Sequence, residues 1–268
     1  MINDKKEVHD FWNEASCGES LYLFGLDRES YEAQARKRYE LEPYIMDFAR
    51  FDSANAARVL EIGVGLGADH ELFARSGADL YGIDLTERAV EHTQRRMTTF
   101  GLSSKLAVGD AEKLDFPDEF FDRVYSWGVL HHSPDTPKAV AEVWRVLKLG
   151  GGTSVMIYHK WSLVGFMLWI RYALLGLRPW LSMTQVLARY LESPGTKAYS
   201  VAQARQLFSA FSEVKIRTVL THGDLLESGA GQQHLGSLLS LARKIWPRSL
   251  LKRFLSGVGL FMLIEARK

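Results

Sequence analysis

The sequence predicts an α/β protein: one open sheet of seven mostly parallel strands, preceded by helices and carrying two helical inserts. Three observations predict it. Between Arg58 and Lys160 short apolar runs alternate with helical patterns, the arrangement of βαβ units. The stretch "VLEIGVGLGADHELFARSGADLYGIDLT" sets Gly63, Gly65 and Gly67 between a strand and a helix, with Asp84 ending the next strand. Two further strand patterns, "VKIRTVLT" and "GLFMLIEAR", come late and complete the seven.

The elements follow in chain order. Residues 1–52 read as two or three helices, the last opened by Pro43, and form an N-terminal helical cap. Residues 53–268 form the sheet domain, with helical inserts at about 160–205 and 223–257. Its first five strands are "RVLEIG", "LYGIDL", "KLAVG", "FDRVYSW" and "GTSVMIYH". A helix after Leu85 takes Thr86 as N-cap and Gly101 as its C′ residue. Another takes Thr136 as cap and Pro137 at N1, shows an apolar stripe of Val140, Val143, Trp144 and Leu147, and stops at "LGGG".

Bulk properties narrow the function. The chain has 268 residues, 47% hydrophobic and 24% charged, which is the composition of a globular domain rather than a disordered or fibrous one. A formal net charge of +1 gives no reason to expect nucleic acid as a partner. Cys17 is the single cysteine, so neither an intramolecular disulfide nor a cysteine metal cluster is expected. The opening "MINDKKEVHDFW" lacks an apolar core, so a cytoplasmic location is expected. Oligomeric state is left open.

A glycine turn between strand and helix lets a ligand lie against bare backbone at the helix N-terminus. An acidic residue ending the next strand can accept both hydroxyls of a ribose, and Asp84 stands at that place. Gly63, Gly65 and Ala68 match the dinucleotide pattern G-x-G-x-x-G/A, so the glycines alone admit a nicotinamide cofactor as well as S-adenosylmethionine. Glu61 separates the two. Its carboxylate would oppose a pyrophosphate near the turn, yet could hold an ammonium group. In "GDAEKLDF", Asp110 ends the third strand, where an adenine amino group could donate to it.

With "VGDAEKLDFPDEFFDRVYSWGVLHHSPD" and "RVLKLGGG", these motifs make residues 55–160 resemble the class I S-adenosylmethionine-dependent methyltransferases. The likeness is greatest to the branch holding ubiquinone- and menaquinone-biosynthesis enzymes. It implies a Rossmann-like sheet, S-adenosylmethionine as cofactor and a small-molecule acceptor. Carried over, it implies that Glu61, Gly63, Gly65 and Gly67 cradle the methionine end. Asp84 would bind the ribose, with Leu85 flanking the adenine, and Asp110 and Ala111 would hold the adenine edge. Ser126, Trp127 and Gly128 would close over the sulfonium side. Helices preceding the sheet cover the cofactor in such enzymes, making Trp12, Tyr22 and Tyr39 candidate lid contacts. The competing readings are an NAD(P)-dependent oxidoreductase and a catalytically silent binding module.

Where a general base is needed, His131 is the first candidate, His132 the reserve and Tyr158 the third. Both histidines follow a central strand, where open α/β sheets bind ligands. Each has a structural alternative, capping the strand end beside Ser133 and Asp135. "HHSPD" lacks metal-ligand spacing, so no metal site is expected. The insert "WSLVGFMLWIRYALLGLRPWL" is broken by Arg171 and too short in its apolar run to span a membrane. It is read as a roof over a lipophilic or amphipathic acceptor, including Trp161, or as a helix resting on a membrane surface. No acid occurs between 160 and 191, where Lys160, Arg171, Arg178 and Arg189 stand. "RKIWPRSLLKR" repeats the basic pattern, and solvated arginines on a core helix remain the plain alternative.

Overall fold

The computed structural model describes residues 5–193, 195–227 and 246–268. Seven strands form one sheet: β1 (Arg58–Ile62), β2 (Asp79–Asp84), β3 (Lys105–Val108), β4 (Phe121–Trp127), β5 (Leu147–Tyr158), β6 (Glu213–Val219) and β7 (Phe261–Arg267). Their order is β3-β2-β1-β4-β5-β7-β6. Only β7 runs antiparallel to its neighbours, pairing Val155 with Ile264 on one side and Ile216 with Ile264 on the other. The strand order reverses between β1 and β4, which run parallel, placing the carboxyl ends of both at one crevice, where such sheets bind ligands.

Period-two alternation sorts the strand residues into two cores. Ile62, Val124, Val155, Ile157 and Ile264 pack on one face with Val140 and Val143 of helix α7 (Thr136–Val146). Val59, Tyr125, Met156 and Leu263 pack on the other with Phe48 of α4 (Tyr44–Ala49) and Phe73 of α5 (Ala68–Arg75).

Among the described residues, four α-helices precede the sheet instead of two or three: α1 (Lys5–Glu14), α2 (Glu19–Tyr22), α3 (Arg28–Leu41) and α4, which Pro43 opens, followed by a 3-10 turn (Phe51–Ala54). Helix α6 (Glu87–Phe100) has the expected limits, with the Thr86 side chain accepting from Ala89 N–H and Gly101 left-handed. Helix α7 starts differently. Asp135, not Thr136, is its cap, accepting from Lys138 N–H, because a carboxylate one residue earlier reaches that donor and leaves Pro137 inside the first turn. Trp144 leaves the buried stripe and donates its indole N–H to Ala210 O. The glycines of "LGGG" lie within β5, which begins at Leu147 and reaches β4 through a register shift.

The first insert folds as α8 (Leu163–Trp169), a π-helical turn (Ile170–Leu174), α9 (Met183–Tyr190) and α10 (Val201–Leu207). Most of the second insert lies outside the described residues, as does the start of "RKIWPRSLLKR"; α11 (Arg248–Phe254) is its described helix. Among the described residues, no helix is long and apolar enough to cross a membrane.

Candidate functional site

One pocket opens at the carboxyl ends of β1, β2, β4 and β5, under α1 and the end of α3. Its floor is the glycine turn. Gly63, Gly65 and Gly67 all have positive φ, 85°, 51° and 75°. For Gly63 packing adds a second demand: a Cβ there would lie 2.0 Å from Val129 Cγ2. A Cβ at Gly65 would meet nothing within 4 Å, so that backbone faces open space in the pocket. A ligand can therefore approach it.

Asp84 sits beside this turn. Its Oδ2 accepts from Gly65 N–H at 3.2 Å, and its Oδ1 accepts from the Thr86 N–H and hydroxyl at 3.0 and 2.9 Å. Burial raises its pKa while these donors hold it down. Leu85, Asp110 and Ala111 line the same end. Lys5 of α1 bridges Asp110 Oδ2 at 2.5 Å and Glu112 Oε2 at 2.8 Å, tying the helical cap to the third-strand loop.

Glu61 is buried in the pocket wall, and its Oε2 lies 2.8 Å from His70 Nδ1. Burial drives the carboxyl well up, helped by the Asp69 charge, and the imidazole down to about 3. The neighbour of Glu61 is thus a neutral ring. Asp69 collects four donors: Arg38 Nε and Nη2 at 3.0 and 2.7 Å, Tyr39 at 3.0 Å and Tyr125 at 2.8 Å. Burial opposes the ionised form there, and the Arg38 guanidinium outweighs it, keeping Asp69 below its usual range.

Beyond the turn lies a chamber walled by Trp12, Trp127, Tyr158 and Phe261, with Glu42 and Glu192 facing it. Trp127 stacks on Tyr44 with centroids 6.0 Å apart and meets Phe261 edge-on at 5.7 Å. The Tyr158 hydroxyl donates to Glu192 Oε2 at 2.6 Å, and His132 Nε2 lies 3.4 Å from that oxygen. His132 Nδ1 is 3.0 Å from Ser193 Oγ, and Trp12 meets the imidazole edge-on.

Several expected residues lie elsewhere. His131, the first candidate for a base, is fully buried outside the pocket lining, between His132 and Tyr158 at centroid distances of 4.2 and 4.1 Å. Neither ring nitrogen has a hydrogen-bond partner, and burial drives its pKa well below the ordinary value. The reserve, His132, packs against it and lines the pocket itself. Tyr158 lines the chamber, but burial and the Glu192 charge push its phenol far up, making it a donor rather than a base. Ser126 is buried and ties β4 to β1 by donating to Ile62 O at 3.0 Å. Tyr39 points down to Asp69, Tyr22 packs beside Gly18, and neither lines the pocket. Trp161 is on the outer surface, stacked on Phe166.

The apolar insert is not the roof. Among the described residues it adds Glu192 to the lining, while its apolar side chains pack α8 on α9, pack on the sheet through Val164, Leu191 and Ala198, or face outward. Sequence reasoning also missed Lys5, Arg38 and Glu42. The one signal for Glu192 was its place as the first acid after the acid-free stretch from 160 to 191. His131, His132 and Glu192 bring one potential metal-ligand atom each to within 4.8 Å of one another, a grouping that local spacing in "HHSPD" did not suggest.

An open seven-stranded sheet with only β7 antiparallel, and a glycine-floored pocket at the β1/β4 crevice, defines the class I methyltransferase fold. The methyltransferase domain family matches residues 60–155. The chain thus has the class I methyltransferase fold, and the segment matching the methyltransferase domain family lies within its sheet. It is 35% identical over 109 residues to phosphatidylethanolamine N-methyltransferase of Cereibacter sphaeroides, covering 40% of this chain and 53% of the relative. It is 36% identical over 106 residues to the ubiquinone/menaquinone biosynthesis C-methyltransferase of Bordetella avium, covering 38% and 41%. The matches therefore span about half or less of these relatives. Among solved structures, the YcgJ protein of Bacillus subtilis superposes with a TM-score of 0.53 at 20% identity, covering 82% of this chain and 96% of that one. Phosphoethanolamine N-methyltransferase 2 of Haemonchus contortus, solved with S-adenosyl-L-methionine, gives 0.57 at 18% identity, covering 85% and 52%.

Proposed function

We propose that the protein transfers the methyl group of S-adenosylmethionine to a small-molecule acceptor. The observation that carries this reading is Asp84 beside the open backbone of Gly65, in one pocket with Asp110 and the aromatic chamber. In this reading residues 1–52 cap a catalytic domain of 53–268. Asp84 accepts from the ribose, Leu85 flanks the adenine, and Asp110 and Ala111 receive its edge. Glu61, Gly63, Gly65 and Gly67 border the methionine end, and Trp127 and Gly128 border the sulfonium.

The bound cofactor supplies an electrophilic methyl group. The protein has to exclude water, align the acceptor and remove a proton where the acceptor carries one. α1 closes the pocket through Lys5 and Trp12. His132 lines the chamber with Nδ1 3.0 Å from Ser193 Oγ and Nε2 3.4 Å from Glu192 Oε2, so a carboxylate stands ready to stabilise a proton taken up by the ring. A nicotinamide dinucleotide fits less well, since the Glu61 carboxyl lies at the turn where a pyrophosphate would sit.

Calorimetric titration with S-adenosylmethionine, its demethylated product and NADH tests the cofactor. Binding of the first two without NADH is expected, and equal NADH binding would overturn the assignment. Once an acceptor is in hand, His132→Ala is expected to lower turnover by roughly 10²–10⁴-fold with cofactor affinity little changed. His131→Phe should retain most activity, since it replaces an unpartnered buried ring by an apolar one. A stronger loss in His131→Phe than in His132→Ala would reverse the roles.

A specific observation also favours contact with an anionic membrane surface. Trp161, Phe166, Ile170, Leu174, Leu177 and Trp180 are exposed, Leu177 to 81% and Trp180 to 74%. The segment that carries them has basic residues and no acid from 160 to 191. Apolar side chains beside basic ones suit reversible binding to anionic lipid. The protein is expected to co-sediment with phosphatidylglycerol-containing vesicles and less with pure phosphatidylcholine, and Leu177→Asp with Trp180→Ala should abolish it. Equal recovery in the supernatant with both vesicle types would remove this reading.

A further inference from the structure

We propose that Glu42 and Glu192 select a cationic amine as the methyl acceptor, a specificity that rests on reading this pocket as the methyl-transfer site. Both residues line the chamber, together with Trp127 and Tyr158. Glu42 Oε2 is buried without a hydrogen-bond partner, while the Trp127 side chain hydrogen-bonds the same carboxyl group. Its nearest cation, Arg38 Nη1, stands 3.4 Å away, while Nε and Nη2 of the same guanidinium are committed to Asp69. Glu192 takes the Tyr158 hydroxyl and lies beside His132, neither of them a permanent cation. The other base on the pocket wall, Lys5, is held at the Asp110 end.

The chamber therefore carries more negative than positive charge, enclosed by aromatic rings. Burial pushes the Glu42 pKa up to about 7, with the Asp69 and Glu192 charges adding to it against Arg38 and a hydrogen bond from Trp127. An arriving cation would relieve that repulsion. A carboxylate or phosphate acceptor would increase it. Trp12, Trp127 and Phe261 give the same chamber apolar walls for a hydrocarbon tail.

The chemistry balances with groups already in place. The ammonium gives one proton to His132 Nε2, and its nitrogen lone pair forms the N–CH3 bond. The S–CH3 bond breaks with its electron pair remaining on sulfur. The products are a methylated ammonium, a neutral thioether and a protonated imidazole, which returns its proton to solvent.

The test is calorimetry on the protein saturated with S-adenosylhomocysteine, with EDTA present so that no metal occupies Glu192. Octylamine, octanol and octanoate are titrated separately at pH 8. Octylamine is expected to bind at least tenfold more tightly than octanol, with octanoate weakest. Glu42→Gln and Glu192→Gln should each weaken octylamine tenfold or more while leaving S-adenosylhomocysteine affinity within twofold. Octanoate binding as tightly as octylamine, or unchanged amine affinity in both folded variants, overturns the proposal. Should a variant fail to fold, the ranking of the three ligands on the parent protein decides by itself. Absence of S-adenosylhomocysteine binding to the parent would overturn the cofactor reading instead.

Discussion

Arg96→Met is expected to lower the unfolding free energy by about 3–5 kcal/mol, the range for breaking a buried ion pair from one side. Arg96 is 1% exposed in the middle of α6. Its Nε donates to Glu71 Oε2 at 2.7 Å, and Nη1 to Gln34 Oε1 at 2.7 Å and Leu66 O at 3.3 Å. Nη2 donates to Tyr31 O at 3.1 Å. One guanidinium thus joins α6 to α3, α5 and the glycine turn. Methionine fills similar space but leaves the Glu71 carboxylate with Arg75 as its remaining cation, and two carbonyls without these donors. Urea denaturation measures the loss, and Glu71→Leu in the same chain should restore part of it. A single-variant loss below about 1 kcal/mol would show that the network contributes little beyond what exposed ion pairs do.

Arg96 also shows where sequence reading stops. The buried face of α6 is Ala89, Thr93, Arg96, Met97 and Phe100, a helical period that includes the arginine. Taken alone, a charged residue reads as solvated; its partners are Gln34 and Glu71, which only the tertiary fold brings near. The strands were legible because central parallel strands are buried on both faces and read as apolar runs bounded by turn residues. The cofactor end of the pocket was legible for a related reason. Its residues sit at strand ends, each next to an element that the pattern already located.

The acceptor chamber had no such guide. Glu42 follows α3 and Glu192 follows α9, so they meet only because both segments fold back over the ends of β4 and β5. Direction within a turn was equally hidden: His131 and His132 are neighbours, yet one is sealed and the other lines the pocket. The apolar insert misled through composition. Of α8 only Gly165 and Leu168 are buried, so a run rich enough for a pocket roof became a partly exposed surface.

Asp84→Ala is expected to weaken binding of S-adenosylmethionine and of its demethylated product by 100-fold or more. Two hydrogen bonds from ribose hydroxyls to a carboxylate are each worth roughly 1.5–3 kcal/mol, and the change removes both acceptors. It also releases Gly65 N–H and the Thr86 hydroxyl, so the turn that presents bare backbone to the ligand loses its tether. Asp84→Asn keeps the shape and one carbonyl acceptor, so its loss should be smaller. The pH dependence has a definite sign. Burial raises the Asp84 pKa, so the carboxylate takes up a proton at a higher pH than an ordinary aspartate as the solution is acidified. Affinity in the parent should therefore be complete near neutral pH and decline before the usual aspartate range is reached; in Asp84→Asn that limb should be absent. Calorimetry across pH 4–8 measures both effects. Affinity within threefold of the parent in Asp84→Ala, with the fold intact by circular dichroism, would take the ribose away from this residue and leave the open backbone at Gly65 in need of another ligand.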